Sequence, residues 1–100
     1  MTPMPAYLIY RAHVHDADAY RAYMARTPDA IAAFGGRFLA RGGETVTLEG
    51  EPETARVIIV EFPSLHAAQA FYDSDIYRAA IPFRQDVADV QMVVVDGIAP

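Results

Sequence analysis

Five side chains in this sequence have the chemistry of acid-base or anion-orienting groups at spacings that bring them together: Arg11, His13, Arg41, Glu61 and Gln91. Glu61 ends the most apolar run, Val57-Ile58-Ile59-Val60, where a carboxylate needs a counter-charge, a proton or a task. A guanidinium beside it, that of Arg41, would hold it ionised, whereas isolation among Val and Ile would suit it to proton exchange. The catalytic reading makes Glu61 or His13 the acid-base, with Arg41, Arg11 or Arg84 orienting an anionic or oxygenated substrate and Gln91 beside it. The structural reading makes Glu61 and Arg41 an ion pair that satisfies both groups. Tyr72, Tyr77 and Arg84, with Tyr23, form a second candidate ligand site between sheet and helices. Phenols and a guanidinium there suit an aromatic or carboxylated ligand, and the competing reading is core packing.

Other chemistries find less support. His13 and His15 lie two apart on an extended segment and so face one side, a spacing open to two metal ligands. No third ligand accompanies them, since Asp16 is better used as a helix cap and Asp18 as a first-turn charge, so no metal is expected. Gly35-Gly36 and Gly42-Gly43 lack the Lys-Ser/Thr or spaced glycines of phosphate loops and read as a helix stop and a bulge. There is no cysteine for thiol chemistry and no Gly-X-Ser-X-Gly elbow for a serine nucleophile. No cofactor is expected.

The elements that must position these groups follow from periodicity. Ala6–Val14 alternates as a strand. Asp16 caps a helix carrying Tyr20, Tyr23, Met24, Ile31 and Phe34, with a restart at Thr27-Pro28 and a stop at Gly35-Gly36. Arg37–Arg41 is a short strand, and residues 44–49 are expected to continue extended, as a bent strand or hairpin. Arg56–Phe62 is the third strand. Ser64 opens a helix with Leu65, Ala68, Phe71 and Tyr72, Ser74 caps a further stretch interrupted at Pro82, and residues 90–96 form the last strand. The order β-α-β-β-α-β predicts one α+β domain spanning residues 1–100, a ferredoxin-like four-stranded antiparallel sheet. Within it, strands one and three are expected at the centre as parallel neighbours.

Sorting the strands by parity gives one apolar face and one mixed face. The mixed face holds Tyr7, Ile9, Leu39, Val57, Ile59, Val93 and Val95 together with Arg11, His13, Arg37, Arg41, Glu61 and Gln91. Seven large apolar side chains exceed what a soluble monomer usually exposes, so a second copy packed sheet to sheet is expected to cover them. At 100 residues the chain buries only about 60–65% of its unfolded surface, which adds to the case for a homodimer.

Composition excludes other classes. The chain is 53% apolar with net charge -5, and its eight basic residues are all arginines scattered from Arg11 to Arg84, so neither a nucleic-acid nor an anionic-membrane footprint exists. No run of about 18 apolar residues and no cationic leader pattern in Met1-Thr2-Pro3-Met4-Pro5 is seen, which makes the cytoplasm the expected location.

Several segments together resemble a known family: Gly35-Gly36-Arg37-Phe38-Leu39-Ala40-Arg41-Gly42-Gly43, then Glu61-Phe62-Pro63-Ser64, then Phe71-Tyr72-Asp73-Ser74 with Tyr77, then Arg84-Gln85. The chain is similar over nearly its whole length to domain of unknown function 1330, in the dimeric α/β-barrel superfamily. The resemblance implies a ferredoxin-like protomer whose sheet pairs with a second copy to form a barrel with helices outside. The superfamily also contains cofactor-independent quinol monooxygenases, muconolactone isomerases, haem-degrading monooxygenases and chlorite dismutases, so the fold does not choose an activity. The haem-degrading pattern places a tryptophan in the pocket, and this chain has none. Two functions follow as expectations: a cofactor-independent monooxygenase- or isomerase-like enzyme on a small organic substrate, or a non-catalytic dimeric metabolite-binding or stress-related module.

Overall fold

The computed structural model describes residues 4–99; Met1, Thr2 and Pro3 of the N-terminal pentapeptide lie outside them. Four strands, β1 (Ala6–Val14), β2 (Arg37–Arg41), β3 (Arg56–Phe62) and β4 (Ala88–Asp96), form one sheet in the order β2-β3-β1-β4. Helices α1 (Ala17–Met24), α2 (Thr27–Ala33), α3 (Leu65–Asp73) and α4 (Asp75–Arg78), with a 3-10 turn at Ile81–Phe83, connect them. This is the ferredoxin-like α+β plan, and every neighbouring pair of strands is antiparallel. The parallel pairing expected of the central strands is thereby corrected. Each β-α-β crossover makes its own two strands parallel, and interleaving the two units sets strands of opposite direction side by side.

Local chemistry sets the helix boundaries. The Asp16 carboxylate accepts the Ala19 N–H at 3.1 Å and starts α1. Ser64 Oγ accepts the Ala67 N–H at 3.0 Å to start α3, and Ser74 Oγ accepts the Tyr77 N–H at 3.2 Å to start α4. The restart at Thr27-Pro28 forms with Arg26 as the flanking residue and no side-chain cap; Thr27 lies inside α2 and its hydroxyl donates to the Met24 carbonyl at 3.4 Å. Gly35 ends α2 in the left-handed region, at φ 76°.

Two departures from strict alternation matter for function. Between Phe38 and Ala40 the β2–β3 register shifts, so that Arg37 faces Glu61 and Phe38 faces Val60, but Ala40 faces Ile59 and Arg41 faces Ile58. This β-bulge skips Leu39 and moves Ala40 and Arg41 to the faces opposite those that parity assigns. Residues 43–55 form no strand, contrary to the expected hairpin. That segment exposes Val46 and Leu48 and is tied down near its end by Glu53.

The core lies between the sheet and the helices, built from Leu8, Tyr10, Ile58, Val60 and Phe62 of the sheet against Tyr20, Tyr23, Ile31, Phe71 and Tyr77. On the other face Leu39, Val93 and Val95 remain 49%, 52% and 49% exposed, with no helix covering them.

Candidate functional site

On the uncovered face, cross-strand pairing places Arg37, Glu61, Tyr7 and Val95 in one row, and Val57, Arg11 and Gln91 four residues further along. Glu61 is ion-paired, but its partner is Arg37, whose Nε donates to Oε1 at 3.0 Å. The expected Glu61–Arg41 pair does not form, because the bulge at Leu39 carries Arg41 through to the helix side. Arg11 instead clamps Glu53, a residue that the sequence reading did not single out. Its Nε and Nη2 donate to the two carboxylate oxygens at 2.8 Å each, and Nη1 donates to Gln91 Oε1 at 3.0 Å. Glu53 Oε1 also accepts the Ala55 N–H at 2.9 Å. These donors, Arg11 first, hold the Glu53 carboxyl down to a pKa of about 2, and the same pairing raises that of Arg11.

Since an unfolded glutamate titrates near about 4.3, the Glu53 contribution to stability is complete above that value and is lost as pH falls towards about 2. Glu53→Gln is expected to melt a few degrees below wild type at about pH 7, with the gap closing on acidification from about pH 5. Thermal unfolding across that range checks it, and a gap that widens in acid would rule out the clamp.

The two strand-end histidines diverge. His13 Nε2 lies 3.0 Å from Thr54 Oγ1, and His15 Nε2 lies 2.9 Å from Asp89 Oδ2. No group of three or more His, Cys, Asp or Glu side chains able to hold a metal occurs among the described residues.

The helix side is chemically different. The row Arg41, Ile58, Tyr10 and Met92 runs across the sheet beneath α1 and α4. Above it stand Tyr20 and Tyr23, three residues apart on α1, and Tyr77 on α4, so that each phenol reaches the strand phenol or one another. The Tyr10 and Tyr20 hydroxyls are hydrogen-bonded, the Tyr23 and Tyr77 hydroxyls lie 2.8 Å apart, and the Tyr10 and Tyr23 rings stack at 6.3 Å. The four tyrosines, with Arg41 and Met92, line a cavity of about 30 Å³. Burial pushes the phenols of Tyr10, Tyr20 and Tyr23 above their ordinary range, so they are neutral near neutral pH and serve as hydrogen-bond donors rather than bases. Arg41 Nη2 donates to the Met24 carbonyl at 3.2 Å, and its guanidinium lies over the Phe38 ring at 4.4 Å.

Beside the cavity, an open groove of about 690 Å³ runs between α3 and β4. Leu8 and Met92 line both spaces, and the groove adds Tyr72, His66 and Arg84. Tyr77 donates its hydroxyl towards Met92 Sδ at 3.9 Å, so Met92 stands between cavity and groove. The Arg84 guanidinium lies 5.8 Å from the Tyr23 ring centroid. The Tyr72 ring lies 5.6 Å from that of Tyr77, tilted by 40°, and is partly exposed.

Of the residues singled out in the sequence, the helix side thus gathers Arg41, Tyr77, Arg84 and Tyr72, while Glu61, Arg11, His13 and Gln91 stay on the opposite face. Tyr10 and Tyr20 were missed as members of the site. The available signal was Tyr10 on the apolar parity of the first strand, facing a helix that presents Tyr20 and Tyr23 three residues apart.

Residues 5–98 match the pattern of the family described as Domain of unknown function (DUF1330). The chain belongs to that family. Among solved structures, this DUF1330 chain is similar to a protein of unknown function from Rhodopseudomonas palustris, with TM-score 0.76 and 22% identity over 97% of this chain and 85% of that one. It is similar to SnoaB, a cofactor-independent oxygenase from Streptomyces nogalater, with TM-score 0.68 and 15% identity over 97% and 96% of the two chains. A dimeric ferredoxin-like protein of unknown function from Thermobifida fusca superposes with TM-score 0.64 and 15% identity over 96% and 93%. At these identities the likeness shows a shared ferredoxin-like fold. No curated protein matches the DUF1330 chain. No helix among its described residues is long and apolar enough to cross a membrane.

Proposed function

We propose that this DUF1330 chain is a cytoplasmic homodimer that binds a small organic substrate on the helix side of its sheet and transforms it without a cofactor, in an oxygenase- or isomerase-like reaction. The observation that carries the reading is the set of four phenols closed around one cavity beside a substrate-sized groove. Neutral, pre-positioned phenols donate hydrogen bonds to an oxyanion, and so favour the enolate or phenolate of a substrate over its protonated form. From that anion an isomerisation proceeds by reprotonation at another atom, and an electron-rich anion is also the species that reacts directly with dioxygen. His66 lines the groove and is the side chain there that receives the proton. Arg41 adds fixed positive charge at the cavity wall. The oxygenase named among the similar structures lends the reaction class support, and the bare apolar sheet face lends the homodimer support.

In this reading Glu61–Arg37 and Arg11–Glu53 are structural pairs near the dimer seam, and His13 and Gln91 bind no substrate. The test is a thermal-shift screen with enolisable and hydroxyaromatic compounds, followed by oxygen uptake and product analysis on the compounds that bind. Tyr77→Phe is expected to lower turnover roughly a hundredfold, as loss of one oxyanion donor does, while Glu61→Gln leaves it unchanged. Turnover that survives both Tyr77→Phe and Tyr23→Phe but falls in Glu61→Gln would move the chemistry to the sheet's other face.

A second reading, a non-catalytic binding module, is favoured by one observation. A cavity of about 30 Å³ has room for a water or two, and the hydroxyls around it already pair with one another. Compounds that bind in the groove without conversion would support it.

A further inference from the structure

We propose that the α3–β4 groove takes an aromatic carboxylate, its ring on Leu8, Val90, Met92 and Val94 and its carboxylate on Arg84. This rests on the placement of the substrate on the helix side, and it adds the substrate class. The groove's floor is apolar, and its volume of about 690 Å³ lies within the range of small-molecule sites, about 300–1,000 Å³. The Met92 thioether and the Tyr72 ring offer contacts that favour an aromatic over an aliphatic body.

Arg84 is the charged group with nothing to balance it there. Its Nε is buried without a hydrogen-bond partner, and no carboxylate among the described residues pairs with it. The acid that lines the groove, Asp73, is engaged by Arg78 at 3.2 Å, with both side chains well exposed. Desolvation works against the Arg84 charge, but the phenols of Tyr77 and Tyr23 outweigh it, so the guanidinium stays a firm cation. A partly buried cation without a counter-ion is costly, and a ligand carboxylate meeting it in a two-pronged pair removes that cost.

The backbone holds this cation in place. The Arg84 N–H donates to the Ile81 carbonyl at 3.0 Å, and its own carbonyl accepts the N–H groups of Val87 and Ala88 at 3.3 and 3.2 Å. Asp86 closes that turn at φ 69°. The other arginine with a buried unpartnered Nε, Arg56, packs over Gly42 away from the groove, and so serves as a control.

Calorimetric titration with 1-naphthoate and its neutral analogue 1-naphthalenemethanol tests the assignment. Wild type is expected to bind naphthoate at least about tenfold more tightly than the alcohol, the scale of one charge-assisted pair. Arg84→Gln should erase that preference with the alcohol's affinity within about twofold of wild type, and Arg56→Gln should keep it. If Arg84→Gln does not fold, Val94→Glu on the half-buried groove floor supplies the same readout by repelling naphthoate selectively. Equal binding of both probes by wild type, or a preference that persists in the altered groove, overturns the carboxylate assignment. Such a failure, beside a screening compound whose turnover still depends on Tyr77, leaves the proposed reaction standing. Arg84-dependent naphthoate binding, with no compound turned over, supports the groove and sinks the reaction.

Discussion

For the sheet-to-sheet homodimer proposed above, Ile9→Asp is expected to replace a species of twice 11.0 kDa by an 11.0 kDa monomer in solution. Ile9 stands between Ile59 and Val93 at the middle of the uncovered sheet face, the position most enclosed when two such faces meet. A carboxylate there has no cation in the same cross-strand row, since the arginines of this face are tied to Glu53 and Glu61 in the flanking rows. A two-fold axis brings the change in twice, and each buried unpaired charge costs several kcal/mol, so the dimer dissociation constant should rise by roughly a thousandfold or more. Sedimentation velocity over a range of concentrations measures this. A wild-type mass that stays at 11.0 kDa throughout would refute the pairing of sheets.

The second large effect is on stability. Phe62 is 0% exposed at the end of β3, its ring centroid 5.3 Å from that of Phe71 on α3. It also lies so close to Gly36 that a Cβ on that glycine would come within 2.8 Å of its ring. The end of α2, the start of β2 and the middle of α3 therefore meet on this one side chain. Phe62→Ala should cost about 3–5 kcal/mol, a large part of the roughly 5–15 kcal/mol that holds a domain folded. Urea unfolding at matched protomer concentration, needed because association adds to apparent stability, provides the measurement. A loss below about 1 kcal/mol would mean that this aromatic contact is not the keystone of the helix side.

Why the fold was legible and the site only partly so follows from the kind of signal each residue carries. Asp16, Ser64 and Ser74 act within three residues of themselves, and their capping bonds form where the sequence places them. Alternation in Ala6–Val14 and Arg56–Phe62 is regular and sorts Tyr10, Ile58 and Val60 correctly to the core. Arg41 is the counter-example. One unpaired residue upstream inverts its side, and Leu39 has nothing in its own type to announce that. The mate of Glu61 was therefore misassigned, although the existence of a mate was not. Glu53 escaped for another reason: it lies on an irregular segment, where no period links it to Arg11, 42 positions away. Tyr10 and Tyr20 read as ordinary core aromatics and Tyr23 and Tyr77 as either packing or ligand-site residues, and it is their convergence from three elements that makes one cavity.

The bulge at Leu39 bears on how members of this family are to be compared. A relative of equal length whose strand ran without the bulge would align without a gap and conserve the arginine, yet pair it with the position of Val57 and present it to the uncovered sheet face instead of the tyrosines. Conservation in that alignment column is therefore blind to which of two compartments the guanidinium serves. The pairing register, counted from the Arg37–Glu61 pair, carries the information that residue identity lacks.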